Sequence, residues 1–387
     1  MSLPANTRHL GLLYGTLLLI LTTAVYFIFG TTFIKLPQTT VSMFQTYAYR
    51  NADKVATVHP DRRGMPIKII YWSPWFDIKD WGLQHAIKTT CPALAKTCTF
   101  TTDRRQYNDS DVVLVHIRDS YVIPKYRPWF QKWVFVLKES PVYTYRSLSQ
   151  ERWLYNITMT YKLGSDISDV YGECIPIKTN SARAHVKHNY AEDKKHLVAW
   201  FVSNCHTQSK REMYVKELAK HIDVHKFGCG GKYSCPVRNR KYCDKVLLNR
   251  TYKFYLSFEN SLCTEYITEK LYRILTLNVV PVVLGYSNYT DILPPHSFID
   301  VRDFDSPKAL AMYLKMLNTN DTKYNMYFAW KDTHTCTTSP AVDPACKLCR
   351  YVQRERHRKK MADVVQFWGR KTNCIDAKEF YHGMISV

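Results

Sequence analysis

Apolar and polar positions along the chain fall into distinct regimes. From Leu10 to Ile34 no residue is charged, and Leu, Ile, Phe and Thr dominate. At ~1.5 Å of rise per residue, a helix over this stretch crosses a ~30 Å hydrocarbon layer. A cleaved signal sequence has an apolar region of only ~7–15 residues and a small-residue cleavage site. This run is longer and ends in Phe29-Gly-Thr-Thr-Phe33. It therefore predicts an uncleaved anchor over 10–34, with residues 1–9 as a short cytoplasmic tail. Residues 35–65 are polar with little periodicity and read as a stem.

Beyond residue 65 the apolar positions cluster in short runs bounded by turn signals, the pattern of buried parallel strands. Ile67–Trp72, Asp111–His116 and Trp133–Leu137 form one group, and Lys195–Ser203, Phe254–Phe258 and Val279–Leu284 a second. A helical spacing runs through Met213, Leu218 and Ile222, and another through Ile267, Leu271, Ile274 and Leu275. Strand, helix and strand over Phe254–Leu284 make a βαβ unit. The pattern predicts two Rossmann-like α/β halves with a boundary near residue 190.

Composition narrows the class. Lys and Arg outnumber Asp and Glu by 54 to 33, a formal charge of +21, while 46% of residues are hydrophobic. That hydrophobic content excludes a disordered polyelectrolyte. The charge points to an anionic partner without choosing among nucleic acid, membrane and phosphorylated ligand. All twelve cysteines lie beyond residue 90, as do sequons at Asn108, Asn156, Asn249, Asn288 and Asn320. Even cysteine usage and sequons behind an anchor favour an oxidising lumen, and that disfavours nucleic acid. There, the basic run 354–360 reads as a solvated helix face.

Several chemistries have no motif here. There is no P-loop, no H-E-x-x-H and no G-x-S-x-G elbow, and Gly228-Cys-Gly-Gly231 lacks the third glycine of a dinucleotide fingerprint. Cys346-Lys-Leu-Cys349 has metal or redox spacing but no matching second pair, which favours disulfides. The triplets Asp109-Ser-Asp111 and Asp303-Phe-Asp305 are too short to define a metal site. The informative segment is Tyr252–Leu284. Polar residues Glu259 and Asn260 end a strand, and Thr268, Glu269 and Lys270 open a helix, where an open α/β sheet keeps its ligand crevice. Lysine in a first helical turn opposes the helix dipole, which an anion at that position would offset.

These residues carry a resemblance. Phe254–Ser261, Tyr266–Lys270 and Val280–Gly285 closely resemble the donor motif of the α1,3-fucosyltransferases, glycosyltransferase family 10. Ser203-Asn204-Cys205, Arg211, His116-x-Arg118-Asp119, Glu139-Ser-Pro141, Asn156–Tyr161 and Ser165-Asp166 resemble further landmarks, over roughly residues 66–350. The cysteine-rich loop Cys229–Cys243 is similar to that of invertebrate members.

The resemblance implies a GT-B fold: an N-terminal acceptor-binding Rossmann-like domain over 66–190, a GDP-fucose-binding one over 191–345, and a tail over 346–387 returning to the first. It implies a single-pass type II Golgi membrane protein, its catalytic domain luminal. The implied reaction moves fucose from GDP-fucose to O3 of an N-acetylglucosamine in an N-glycan or glycoconjugate, with inversion. By the same resemblance Glu139 is the base, and Arg211 and Lys270 stabilise the leaving GDP. Tyr171, Ser203, Asn204, Tyr255, Asn260, Tyr266 and Glu269 contact donor, and His116, Arg118 and Asp119 read the acceptor. No metal is required, and manganese is left room to stimulate by helping GDP leave. Cys91 and Cys98 are implied to pair with Cys346 and Cys349. Two departures stand out: Glu265 in place of Asp, and Lys162-Leu-Gly164 in place of a more charged stretch. A non-enzymatic luminal carbohydrate-binding protein on this fold, or a transferase for another nucleotide sugar, stays open on the residues alone.

Overall fold

The computed structural model describes residues 64–119, 121–177, 188–235, 242–355 and 361–386. The tail, the anchor 10–34 and nearly all of the stem lie outside them. Among the described residues no helix is long and apolar enough to cross a membrane.

The first half is a wholly parallel sheet in the order β2-β1-β3-β4-β5-β6. Its strands are β1 (Ile67–Tyr71), β2 (Cys98–Thr101), β3 (Val112–His116), β4 (Lys132–Leu137), β5 (Ile157–Thr160) and β6 (Ile167–Ser168). Every residue of β3, β4 and β5 is buried. This explains why β3 and β4 read as continuous apolar runs rather than alternating ones. Ile67, Ile69, Val134, Val136 and Met159 pack one face against Ile87 of α1 (Leu83–Thr90).

The second half repeats the architecture in the order β12-β11-β10-β8-β9, again all parallel. Here the strands are β8 (His196–Phe201), β9 (Val224–Phe227), β10 (Tyr252–Phe258), β11 (Val280–Leu284) and β12 (Ile299–Asp300). Helices α2 (Arg211–Leu218), α3 (Glu269–Leu275) and α4 (Pro307–Asn318) pack on it. Tyr214, Leu218, Leu310 and Leu314 of α2 and α4 close one face over Phe254, Leu256, Val280 and Val282. Between the two sheets in sequence, β7 (Glu173–Pro176) pairs antiparallel with β13 (His334–Thr337), stapled by Cys174–Cys336.

The C-terminal segment visits both halves, whereas the sequence reading returns it only to the first. Helix α5 (Pro344–Arg354) packs Leu348 and Val352 into the first core and is held by disulfides Cys91–Cys346 and Cys98–Cys349. Trp368 then sits against Phe135 and Tyr161. From there the chain crosses over. Cys374 bonds Cys263, Phe380 and Tyr381 join the second core, and the Tyr381 hydroxyl donates to Ser209 O at 2.8 Å. Burying those two aromatics is the physical reason for the crossing. All twelve cysteines are paired, the remaining bonds being Cys205–Cys229 and Cys235–Cys243.

One sequon does not suit a glycan. Asn156 is half-buried; its Oδ1 accepts from Trp133 N at 2.9 Å and from Arg127, and its Nδ2 donates to Met361 Sδ. Asn249 Oδ1 accepts from Asn278 N, and Asn320 caps a helix through Lys323 N. Asn108 and Asn288 are exposed. After expression through a secretory pathway, peptide mapping is expected to find glycan on Asn108 and Asn288 and none on Asn156. An occupied Asn156 in folded, soluble protein would contradict this packing.

Candidate active site

Each sheet reverses its strand order once, between β1 and β3 and between β8 and β10. In open parallel sheets, ligands sit beyond the C-terminal ends of the strands flanking such a reversal. At the second sheet those strands run out into Ser203-Asn204 and Glu259-Asn260-Ser261. At the first they run out into Trp72–Phe76 and His116–Asp119, and neighbouring β4 runs into Lys138–Ser140. Two contacts bring the clusters together. Ser140 Oγ donates to Ser261 Oγ at 2.7 Å, and the Tyr266 hydroxyl reaches Glu139 Oε2 at 3.4 Å.

On the second sheet the cations are built into the scaffold. Arg211 opens α2 and is 4% exposed. It donates through Nη1 to Phe258 O and through Nη2 to Asn204 O at 3.4 Å, while its buried Nε has no partner. Burial works against its charge, and the Glu259 carboxylate only partly offsets this. Lys270 Nζ lies 3.3 Å from both Glu259 and Glu269 and donates to Thr268 Oγ1 at 2.8 Å. Burial pulls the lysine pKa down, but the two carboxylates outweigh it and hold it above the ordinary value, with Arg211 acting the other way. Burial likewise raises the Glu269 carboxyl, and Lys270 reverses the sign and leaves it lowered.

Glu259 is the residue whose role the sequence reading missed. It is 1% exposed, and burial raises its carboxyl pKa despite Lys270. It accepts from Thr268 N at 2.8 Å and from Thr268 Oγ1 at 2.9 Å, which fixes the start of α3 and hence the Lys270 stem. A buried carboxylate needs such partners. The available signal was its place between the aromatic-rich strand Tyr252–Phe258 and Asn260. Gly285 leaves the space for this packing, since a Cβ there would meet the Tyr289 hydroxyl at 2.4 Å and the Glu259 stem at 3.6 Å.

The other anticipated donor contacts divide. Ser203 and Asn204 are exposed on the loop after β8, and Asn260 is half-buried beside Ser261. Tyr266 is 1% exposed and packs against Tyr161 at a tilt and Tyr171 edge-on; burial raises its phenol pKa strongly. The Tyr171 hydroxyl donates to Lys138 O at 2.8 Å. Tyr255 is placed elsewhere: it is 2% exposed within the core of Ala199, Phe227 and Ile274, and its hydroxyl accepts from Arg273 at 3.0 Å. From that core it is still near enough to Arg211 to act on its charge.

The acceptor trio also separates. His116 is fully buried beneath Trp75, ring centroids 4.1 Å apart, with Nδ1 bonded to Asp119. Burial pushes its imidazole below the ordinary value, against the pull of Asp119. The ring holds Trp75 and Asp119 in place, and its buried Nε2 has no partner. Asp119 in turn accepts from Phe76 N at 3.1 Å. Arg118 is half-buried, ringed by Phe76, Tyr143 and Tyr145 at 5.0–5.9 Å. The two departures meet each other: Leu163 N donates to Glu265 Oε2 at 2.8 Å. Among the described residues no group of His, Cys, Asp and Glu could hold a metal ion.

This arrangement defines a two-sheet α/β enzyme, with Arg211 and Lys270 on one half and Glu139 at a strand end of the other, linked through Tyr266. Comparison with known proteins identifies the kind. Residues 191–368 match the profile "Glycosyltransferase family 10 (fucosyltransferase) C-term", and residues 65–172 match "Fucosyltransferase, N-terminal". The chain is 38% identical over 292 residues to 4-galactosyl-N-acetylglucosaminide 3-alpha-L-fucosyltransferase 9 of Mus musculus, covering 72% of this chain and 78% of that one. It is 34% identical over 280 residues to alpha-(1,3)-fucosyltransferase C of Drosophila melanogaster, covering 67% and 65%. A crystal structure of an alpha1,3-fucosyltransferase with GDP-fucose shares the fold, at TM-score 0.50 and 17% identity over 81% of this chain and 96% of that one. The chain belongs to glycosyltransferase family 10, the fucosyltransferases, and is a glycosyltransferase.

Proposed function

We propose that this protein transfers fucose from GDP-fucose to O3 of an N-acetylglucosamine, with inversion at the anomeric carbon, on a GT-B scaffold. The observation that carries this reading is the buried Arg211, its Nε unpartnered, beside Lys270 and across the crevice from Glu139. A buried guanidinium with an unused donor suits a diphosphate, which brings the missing acceptor.

In the proposed step the acceptor O3 attacks the fucose anomeric carbon as Glu139 takes its proton. The bond from that carbon to the GDP oxygen breaks, and its electron pair leaves on the diphosphate. Arg211 and Lys270 offset the charge that appears there, in a site where such interactions are stronger than in water. Tyr266 orients Glu139, and Glu269, held ionised by Lys270, accepts hydrogen bonds from donor hydroxyls. The acceptor is a lactosamine antenna or a chitobiose core.

We place the enzyme in the Golgi membrane, anchored by 10–34 with the catalytic unit luminal; full pairing of the cysteines supports an oxidising compartment. Purified protein is expected to release GDP from GDP-fucose only when an N-acetylglucosamine-terminated, lactosamine or chitobiose acceptor is added. Absence of transfer across such a panel, with donor bound, would reject the activity. Turnover is expected to persist in excess EDTA, with manganese stimulating at most; complete loss on chelation would show that Arg211 and Lys270 do not suffice.

A further inference from the structure

The loops that follow β8 and β9 leave the same end of the second sheet side by side. The two strands pair in parallel, and Val202 N donates to Phe227 O at 2.9 Å. The first loop carries Ser203 and Asn204, and the second is Gly228-Cys229-Gly230-Gly231. A disulfide, Cys205–Cys229, joins them, with Cα atoms 5.3 Å apart. The backbone is shaped for that bond. Gly228, Cys229 and Gly230 all take positive φ, at 83°, 46° and 71°. Gly228 has no room for a side chain, because a Cβ there would lie 2.3 Å from Val202 O. Cys229 takes a left-handed conformation that is unfavourable for a residue with a side chain, and the bond to Cys205 secures it there.

The loop after β8 is anchored unevenly. Its second half is fixed: Thr207 donates to Glu212 from N at 3.3 Å and from Oγ1 at 3.0 Å, and Ser209 Oγ donates to Glu259 O at 2.7 Å. Its first half, Ser203–His206, is exposed. Among the described residues, that half makes one hydrogen bond beyond itself, from Arg211 Nη2 to Asn204 O at 3.4 Å. The disulfide is therefore the strong link on the part of the loop that meets Arg211. Arg211 is buried with its Nε unpartnered, so the direction of its guanidinium is set by Phe258 O and Asn204 O.

We propose that the Cys205–Cys229 bond is a positioning element of the donor site, holding Asn204 O against Arg211 so that the guanidinium is preset for a nucleoside diphosphate. The proposal rests on the reading of Arg211 as a diphosphate ligand. It also makes the donor site sensitive to thiol reductants. Of the twelve cysteines only Cys205 is exposed, and an exposed disulfide is opened before buried ones. A thiolate of a dithiol attacks Cys205 Sγ, the S–S bond breaks, and Cys229 leaves as a thiolate. The second thiolate of the dithiol then attacks the mixed disulfide and releases Cys205, so the dithiol is oxidised as the pair is reduced.

The test measures GDP binding by calorimetry, and KM for GDP-fucose and for acceptor, in wild type and two double variants. These are Cys205→Ala with Cys229→Ala, and Cys205→Ala with Cys229→Gly, which also relieves the left-handed residue. Cys235→Ala with Cys243→Ala opens a bond within the neighbouring loop and is the control. Both Cys205 variants are expected to weaken GDP and raise the GDP-fucose KM about tenfold, with acceptor KM held within about twofold. The control should keep its donor values within about twofold of wild type. Limited reduction of wild type by a dithiol, with the opened pair identified by alkylation and peptide mapping, should reproduce the loss, and reoxidation should reverse it. That arm decides the matter where the variants do not fold.

Donor affinity unchanged with the pair open, equal losses for donor and acceptor, or as large a loss in the control would overturn the proposal. Failure of the diphosphate reading is separable, because wild type would then bind no GDP. Hydrogen exchange on the free protein still decides the positioning role in that case. Faster exchange over Ser203–Met213 on reduction, with β10 unchanged, supports it, and unchanged exchange over Ser203–Met213 rejects it.

Discussion

Replacing Glu139 by Gln is expected to lower kcat by about 10²–10⁴-fold while leaving GDP-fucose affinity within about twofold. The variant isolates the proton-transfer role because little else depends on the charge. Gln keeps the side chain's length, so the Tyr266 hydroxyl retains its acceptor at 3.4 Å. The neighbouring Ser140–Ser261 contact, which joins the two halves, does not involve Glu139. Only the ability to take the acceptor proton is removed. Turnover with saturating lactosamine and chitobiose acceptors, set beside calorimetric titration with GDP, reads the two effects separately. Near-normal turnover would move the base to another carboxylate, Glu269 or Asp119. A weakened donor with unchanged kcat would make Glu139 a binding group.

The long apolar strands were legible in sequence because parallel strands covered on both faces cannot alternate. The runs over Ile67–Trp72, Asp111–His116 and Trp133–Leu137 correspond to β1, β3 and β4, and the second half behaves alike. β2, β5 and β9 were not read, because Cys98–Thr101, Ile157–Thr160 and Val224–Phe227 are short and mix Thr, His or Lys with apolar residues. Their burial comes from neighbours distant in sequence.

The site was legible only as far as position along a strand carries meaning. Glu139, Arg211 and Lys270 fall at C-terminal strand ends or helix starts, where a pattern can place them. Side-chain direction was not legible. Alternation puts Tyr255 on one face of β10, and Arg273 from α3 takes its hydroxyl. His116 ends β3 fully buried because Trp75, contributed by the loop after β1, covers it. Nor could sequence show that Glu265 and Leu163, read as separate departures, bond each other across the halves. One departure accommodates the other.

Lys270→Ala is expected to reduce kcat by about 10²–10³-fold and also to destabilise the fold. The second effect follows from Glu259. Its carboxyl is 1% exposed and loses its ammonium partner, and breaking a buried pair costs ~3–5 kcal/mol. Lys270 is itself 22% exposed at its side chain, so the lower part of that range applies. The loss should depend on pH with a defined sign. Burial already raises the folded Glu259 pKa above its unfolded value. Without Lys270 it rises further, so the folded variant binds the proton that the unfolded chain releases. Stability is then retained at acid pH and lost as pH climbs through the unfolded and folded values. Thermal melts of the variant at pH 5 and 7.5 should therefore converge on wild type at the lower pH. Glu259→Gln added to Lys270→Ala removes the stranded charge and is expected to restore much of the stability, because Thr268 can still donate to the amide oxygen. It should not restore turnover, since the cation facing the leaving diphosphate is still missing. Recovery of activity along with stability would show that Lys270 acts only by neutralising Glu259. Recovery of stability alone separates the two tasks this lysine performs, holding the start of α3 and meeting the charge that transfer releases.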